Sequence, residues 1–323
     1  MLRTSHVGSF PLPYSPENIE TVIRDLAGIG IDAPPYPQLR SFIDIYLKPL
    51  ADHGILELRG SFYYLEDPEK IREIEYIEPN IPEAEYMADK NKREKLFQWL
   101  RGPVTGPFTL SSRIYVEKDI SKGLAATLLR NKELLGVIAG YVRRNLEYLA
   151  GLGYNILFID EPVLGVLVGR RRILLGYNRQ DITNTIVEVF RGLPGEHGIH
   201  VCGRVSPTLY NILVEAEEPR ILNFEFHDNP KNIDFLDPET LEAYDKIIAP
   251  GIASSKKPRI EEVDELKNLL IRIGEKTRWR IDLVSADCGF GGLATEDNDP
   301  IHAYKIGIEK LKRIKKVVED LED

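Results

Sequence analysis

The sequence predicts an α/β protein folded as a single (β/α)8 TIM barrel, and three observations lead there. Eight short β-type runs alternate with longer amphipathic segments. No Ser/Gly-rich linker or low-complexity block divides the chain, so one domain over 1–323 is expected. No G-x-G-x-x-G follows an early strand, which disfavours the runner-up, an open doubly wound sheet.

The β-type runs are RTSHVGS (3–9), GILELRG (54–60), WLRGPVT (99–105), NILFIDEP (155–162), IHVCGRV (199–205), ILNFEF (221–226), KIIAPGIA (246–253) and WRIDLVSADCG (279–289). The Pro-rich DAPPYPQ at 32–38 reads as a loop. Between the runs lie helical patterns. Ser15-Pro16 supplies an N-cap serine and a first-turn proline, followed by Ile19, Val22, Ile23 and Leu26 on one face. Val263, Leu266, Leu270 and Ile273 mark a second helix, and Tyr304, Ile308, Leu311 and Val318 a last one. The basic run KLKRIKK (310–316) alternates with those apolar positions and reads as a solvated helix face.

Composition narrows the function classes. A chain of 323 residues, 43% hydrophobic, can bury a full-sized core. Its net charge of −9 argues against nucleic acid, whose phosphates demand a basic surface. No run of eighteen apolar residues and no signal-peptide pattern appears, so neither membrane insertion nor secretion is expected, and a cytoplasmic location is. Two cysteines, Cys202 and Cys288, are too few for a disulfide framework and point to free thiols or metal binding. Glutamine is confined to Gln38, Gln98 and Gln180 while Glu, Lys, Arg and Ile abound, a thermophile-like balance.

In a barrel, chemistry collects where strands run into the loops that follow them. Strand alternation puts His200 and Cys202 on one side, although such a pair is also what a buried core histidine beside a cysteine looks like. Glu225 near the end of ILNFEF would be a costly carboxylate among apolar neighbours unless it has a partner, an ion pair being the ordinary one. Cys288 sits near the end of the last run, in ADCG. Two thiolates, an imidazole and a carboxylate suit tetrahedral zinc, at separations too long for a zinc finger but compatible with separate barrel strands.

The motifs HVGSFPL (6–12), GPVT (102–105), FIDEP (158–162), HVC (200–202), NFEF (223–226) and ADCG (286–289) resemble the C-terminal catalytic barrel of cobalamin-independent methionine synthase. The resemblance is greater to the short archaeal and bacterial core enzymes that consist of that barrel alone. It spans nearly the whole chain, with the motifs in order. It implies a zinc-dependent methyltransferase that carries a methyl group to the thiol of homocysteine. His200, Cys202, Glu225 and Cys288 would be the zinc ligands, Val7, Gly8 and Ser9 a homocysteine-binding segment, and Asp160 the catalytic-site carboxylate holding the substrate amino group.

Three departures from the family pattern shape the remaining expectations. GPVT is followed by GPFTLSSRIY without the tryptophan of the long enzymes, and the length leaves no room for their second barrel. Methylcobalamin, carried by a corrinoid protein, is therefore the expected donor, with a methyltetrahydropterin or folate donor, or another thiol acceptor, as the alternative. The glutamate-bearing turn expected after the second strand falls on LRGSFYY, with Phe62 at the glutamate position and Glu57 nearby. The D-x-[H/K]-S expected after the seventh strand reads ASSKK, with Ser254 for the aspartate and Lys256 at the His/Lys position. A zinc hydrolase fits two thiolates poorly, since thiolates make zinc less electron-poor; a zinc-bearing subunit without catalysis of its own is the non-enzyme alternative.

Overall fold

The computed structural model describes residues 2–322. Its centre is a parallel ladder of five strands in the order Arg101–Thr105, Ile156–Asp160, Glu196–Val201, Ile221–Glu225 and Ile247–Gly251. Each is buried along its whole length or along all but its first residue, as parallel strands covered on both faces must be.

Three further segments bring the number to eight, joined by isolated parallel bridges instead of a continuous ladder. Ile281 and Ser285 pair with Ile248 and Gly251, Thr4 with Val284, Ser5 with Ala33, Ser9 with Gln38, and Pro35 with Arg101. Backbone hydrogen bonds mark the joins, among them Ser5 N–H to the Val284 carbonyl at 2.9 Å, Ala33 N–H to Thr4 at 3.0 Å, and Arg101 N–H to Pro34 at 3.0 Å. The fold is a (β/α)8 barrel.

The second barrel segment corrects the sequence reading. It is the Pro-rich stretch around 33–38 that occupies that place, and GILELRG does not. Pro34, Pro35 and Pro37 have no N–H to donate, so the stretch contributes carbonyls and end donors only and carries none of the usual strand signals. GILELRG instead yields a short strand, Glu57–Arg59, exposed throughout. It forms a surface hairpin with Phe62–Tyr64, which pairs in parallel with Ile114–Tyr115.

Helices cover the outside. Ser15 accepts from the Asn18 N–H and caps Pro16–Ile29, whose buried side chains are Ile19, Val22, Ile23 and Leu26, the face expected from the sequence. Lys132–Leu152 crosses from the third strand to the fourth, Arg179–Phe190 from the fourth to the fifth, and Val263–Lys276 from the seventh to the eighth. The last helix, Pro300–Glu322, corrects the reading of its basic run as wholly solvated. Lys310 is completely buried, with Nζ 2.8 Å from a Glu261 carboxylate oxygen and 2.6 Å from the Arg259 carbonyl. An ammonium at that depth is tolerable only because it is paired and hydrogen-bonded. No helix among the described residues is long and apolar enough to cross a membrane.

Inside the barrel, Ala33, Ile156, Phe158, Ile221, Ala249 and Leu283 form an apolar layer. Above the Phe158 ring, 3.8 Å from its centre, lies the buried Arg101 guanidinium, which donates to Asn223 Oδ1 at 3.3 Å. Asn223 in turn donates to the Ala249 carbonyl at 2.7 Å.

Candidate metal and substrate site

His200 is the penultimate buried residue of its strand and Cys202 follows the strand end, so alternation aims both at the barrel axis. His200 Nε2 lies 3.0 Å from Cys202 Sγ, and that sulfur lies 3.2 Å from Cys288 Sγ, contributed by the loop after the eighth segment. One donor atom from each of the three lies within 4.8 Å of the others. Both cysteines are free.

The electrostatics of the trio are those of a shared proton. A hydrogen bond from Cys202 holds the Cys288 thiol well below its ordinary range, with the His200 charge assisting. The same contact, reinforced by burial, pushes Cys202 well up. Burial opposes a charge on His200, but the Cys288 thiolate outweighs it and raises the imidazole.

Glu225, the fourth expected ligand, is fully buried at the end of its strand but stands outside the 4.8 Å group. Asn229 donates to its Oε2 at 2.7 Å, while its Oε1 is buried without a partner. The donor set fits zinc: imidazole nitrogen and two thiol sulfurs already converge, and an orphaned carboxylate oxygen, costly to leave desolvated, waits beside them.

Two polar side chains tie together the loops that carry His200, Cys202, Glu225 and Cys288, and sequence reasoning assigned a role to neither. Asn232 donates to the Gly203 carbonyl at 2.9 Å and the Glu225 carbonyl at 2.8 Å, and accepts from Val205 N–H at 3.1 Å. It thereby fixes the loop after Cys202 to the end of the Glu225 strand. Asp287 accepts from the Phe226 and His227 N–H groups, each at 3.0 Å, and from Asp228 at 2.7 Å. It fixes that same strand end to Cys288. Gly251 makes room for this: a Cβ there would stand 2.5 Å from the Asp287 Cα. Their sequence signal was slight, an asparagine seven residues beyond Glu225 and an aspartate beside a cysteine. Asp287 also groups with His227 and Asp228 as a possible cation cluster, but its oxygens are taken by backbone N–H groups and Asp228 is bound by Lys257 and Ser254.

The three side chains form one wall of a cavity of about 620 Å³ at the barrel mouth. Val7, Ser9, Asp160, Gln38 and Lys256 also line it. Gly8 does not; its φ of +145° and a distance of only 2.6 Å from its would-be Cβ to Gln38 Oε1 make it the turn that seats Gln38. Ser9 Oγ accepts from Gly291 N–H at 3.1 Å, binding the first segment to the Cys288 loop.

The two carboxylates of Asp160-Glu161 divide. Glu161 accepts from the Phe108 and Thr109 N–H groups at 2.8 and 2.9 Å, capping the short helix Pro107–Ser111 that follows GPVT. Asp160 Oδ1 is buried with no partner, and burial pushes the group up to about 6. It is the one with unused acceptor capacity facing the cavity.

The revised second strand also moves the turn that follows it. That turn is Gln38–Phe42, in the cavity wall, so Phe62 does not occupy the position the sequence reading gave it. Ser254 is buried behind the mouth, donating to Asp228 at 2.7 Å, whereas Lys256 reaches the cavity and stands 4.0 Å from Glu225.

No protein-family model matches the chain. Methionine synthase of Methanocaldococcus jannaschii is 24% identical over 306 residues, covering 88% of this chain and 91% of that protein. Methionine synthase of Pyrococcus furiosus is 21% identical, covering 100% and 94%. Over nearly its whole length the chain is similar to the methionine synthases of these archaea.

A B12-independent methionine synthase from Shewanella, solved with selenomethionine, superposes with a TM-score of 0.69 at 16% identity, covering 100% of this chain and 99% of that one. At that identity the likeness speaks for the barrel alone. The 5-methyltetrahydropteroyltriglutamate–homocysteine methyltransferase of Nitrobacter winogradskyi matches 66% of this chain and 26% of its own length, at 24% identity. Where a methionine synthase relative's name specifies a donor, then, it is a methylated pterin. The methylcobalamin donor and corrinoid partner expected from the sequence conflict with those descriptions, and that expectation is corrected. It rested on a missing tryptophan after GPVT and on a length without room for a second barrel, and neither feature defines a donor.

Proposed function

We propose that the chain is a zinc-dependent homocysteine methyltransferase of the methionine synthase type, taking its methyl group from an N5-methyl tetrahydropterin with a glutamyl tail. The observation that carries this reading is the convergence of His200, Cys202 and Cys288 donor atoms within 4.8 Å in the wall of the mouth cavity, beside an unpartnered Asp160 oxygen.

His200, Cys202 and Cys288 would hold the metal, with Glu225 as fourth donor through the oxygen that Asn229 leaves free. Bound zinc would supply a substrate thiolate at neutral pH, where a free alkyl thiol of pKa ~8.5 is only a few per cent ionised. Asp160 gives the substrate ammonium a carboxylate in a dry wall, where an ion pair is worth more than in water. Ser9 and Val7 shape the wall around the amino-acid portion, and Lys256, across the mouth, offers a cation to its carboxylate. With the amino acid gripped at both charged ends, its sulfur is presented for in-line displacement on the donor's methyl. The methyl carbon passes to sulfur, and the bond to the pterin nitrogen breaks as that nitrogen gains a proton.

The test is methionine formation by the zinc-loaded chain from homocysteine and 5-methyltetrahydrofolate carrying one or three glutamates. Methionine at one zinc per chain, lost in Cys202→Ser and Cys288→Ser together with the metal, is the expected result. A chain that binds zinc yet methylates no thiol from any methylpterin would reduce the metal to a structural role.

A further inference from the structure

Arg101 is fully buried inside the barrel, and no carboxylate among the described residues pairs with it. Its guanidinium makes one hydrogen bond, to Asn223 Oδ1 at 3.3 Å, while Nε and Nη1 are buried without a partner. The buried lysines are treated differently. Lys310 meets the Glu261 carboxylate, and Lys246 donates to the Ala216 and Pro219 carbonyls at 2.6 and 2.7 Å. A buried cation left unpaired is among the costliest groups a fold can hold, so its retention calls for a compensating charge nearby.

The strand register shows where that charge would lie. Asn223, which accepts from Arg101, is paired with His200 on the neighbouring strand, and His200 with Asp160 on the next. Phe158, whose ring the guanidinium covers, is two residues before Asp160 on the same strand and faces the same way. With adjacent strands ~4.8 Å apart, the cation stands within roughly 10 Å of both His200 and Asp160. It lines no part of the mouth cavity and so lies behind the cavity wall. Burial pushes Arg101 down to about 10, and the charges of Asp160 and Cys288 oppose that fall, so it is a cation at neutral pH.

The other basic groups around the site do not duplicate it. His6, stacked between Phe10 and Phe290, accepts the Gly8 N–H on Nδ1 at 3.0 Å, and burial lowers it to about 3, so the ring is neutral. Lys256 stands 4.0 Å from Glu225 but is 64% exposed, where solvent screens its charge. Zinc held by two thiolates, a carboxylate and a neutral imidazole would carry an excess negative charge, and a substrate thiolate would add another.

We propose that Arg101 is the counter-cation of the reaction site, a positioning residue that favours substrate sulfur bound as a thiolate over neutral sulfur. It acts through its field across the wall and touches neither metal nor substrate. As homocysteine binds, its thiol proton leaves to solvent and the negative charge stays on sulfur, opposite Arg101. The product's thioether is neutral and gains nothing from that charge, so substrate is held and product released. The proposal rests on the methyl-transfer reading above and adds to it a residue that distinguishes substrate from product.

The experiment is calorimetry on the zinc-loaded full chain with homocysteine and with methionine. Arg101→Met, close in volume but uncharged, should weaken homocysteine binding by about tenfold, as expected for a unit charge at roughly 10 Å and an effective dielectric constant of ~20. Methionine binding and zinc affinity in a chelator competition should be unchanged, and Arg101→Lys should restore the homocysteine affinity. If Arg101→Met does not fold, Arg101→Gln makes the same comparison with a polar group left for Asn223. Equal weakening of both ligands gives Arg101 a merely structural role and overturns the proposal, as does a neutral variant that binds homocysteine as the wild type does. If the wild type binds no homocysteine, the methyl-transfer reading falls, and 2-mercaptoethanol against its S-methyl ether puts the question to Arg101 alone. Weakening of the thiol only, in the neutral variant, upholds the counter-cation; equal weakening, no weakening or no thiol binding at all removes it.

Discussion

Asp160 and Glu161 are neighbours of the same chemical kind, yet only contact with the loop 107–109 distinguishes them. Glu161 has three donors from Phe108 and Thr109, and Asp160 Oδ1 has none. If Asp160 receives the substrate ammonium, Asp160→Asn should raise the KM for homocysteine by about 10- to 100-fold, as expected for loss of a buried charge-assisted hydrogen bond. Steady-state kinetics at saturating donor would measure it, with zinc content unchanged. Lys310 is the residue-scale counterpart for stability. Its removal leaves the Glu261 carboxylate, 2% exposed, buried without its cation. Lys310→Ala should cost about 3–5 kcal/mol in urea unfolding, the usual penalty for breaking a buried pair from one side.

The site's precision belongs to elements, since the proposed ligands come from three different strand ends. Asn232 and Asp287 bridge those ends through six hydrogen bonds to backbone groups. Outer partners of this sort typically govern metal affinity by about 10- to 100-fold. Asn232→Ala should therefore weaken zinc binding by that factor in a chelator competition and leave far-ultraviolet circular dichroism unaltered. An unchanged affinity would mean that the strands alone hold the ligands in place. The Pro-rich second segment is the weakest element of the ring. With three prolines it joins its neighbours by single bridges, and its value is to place Gln38 and the turn 38–42 in the mouth.

For the molecule as a whole, the metal would link the middle of the barrel sequence to its end, because Cys202 comes from the fifth segment and Cys288 from the last. A ligand that binds only the folded chain stabilises it by about 4 kcal/mol at a thousandfold excess over its Kd. Stripping zinc with a chelator should lower the urea midpoint accordingly, and adding zinc back should restore it. The Cys202→Ser protein should show no such difference. The same barrel closure explains why residues far apart in sequence share one wall. Ser9 and Gly291, hydrogen-bonded at 3.1 Å, are 282 positions apart.

The sequence by itself determined the alternation of strands and helices, the apolar faces of the helices and the identity of a His-Cys-Cys cluster. Those features have a period of two or about 3.6 residues or sit at strand ends, so local pattern is enough to find them. Seven of the eight barrel segments were legible for that reason. The second was not, because prolines erase the strand signal, and a neighbouring run with good β propensity took its place in the reading although its alternation served a surface hairpin. Only the tertiary structure decided which carboxylate of Asp160-Glu161 is free, that Glu225 stands apart from the three converging donors, and that Lys310 is buried in a run otherwise suited to solvent. Each depends on a partner dozens to hundreds of residues away, and no local periodicity encodes it.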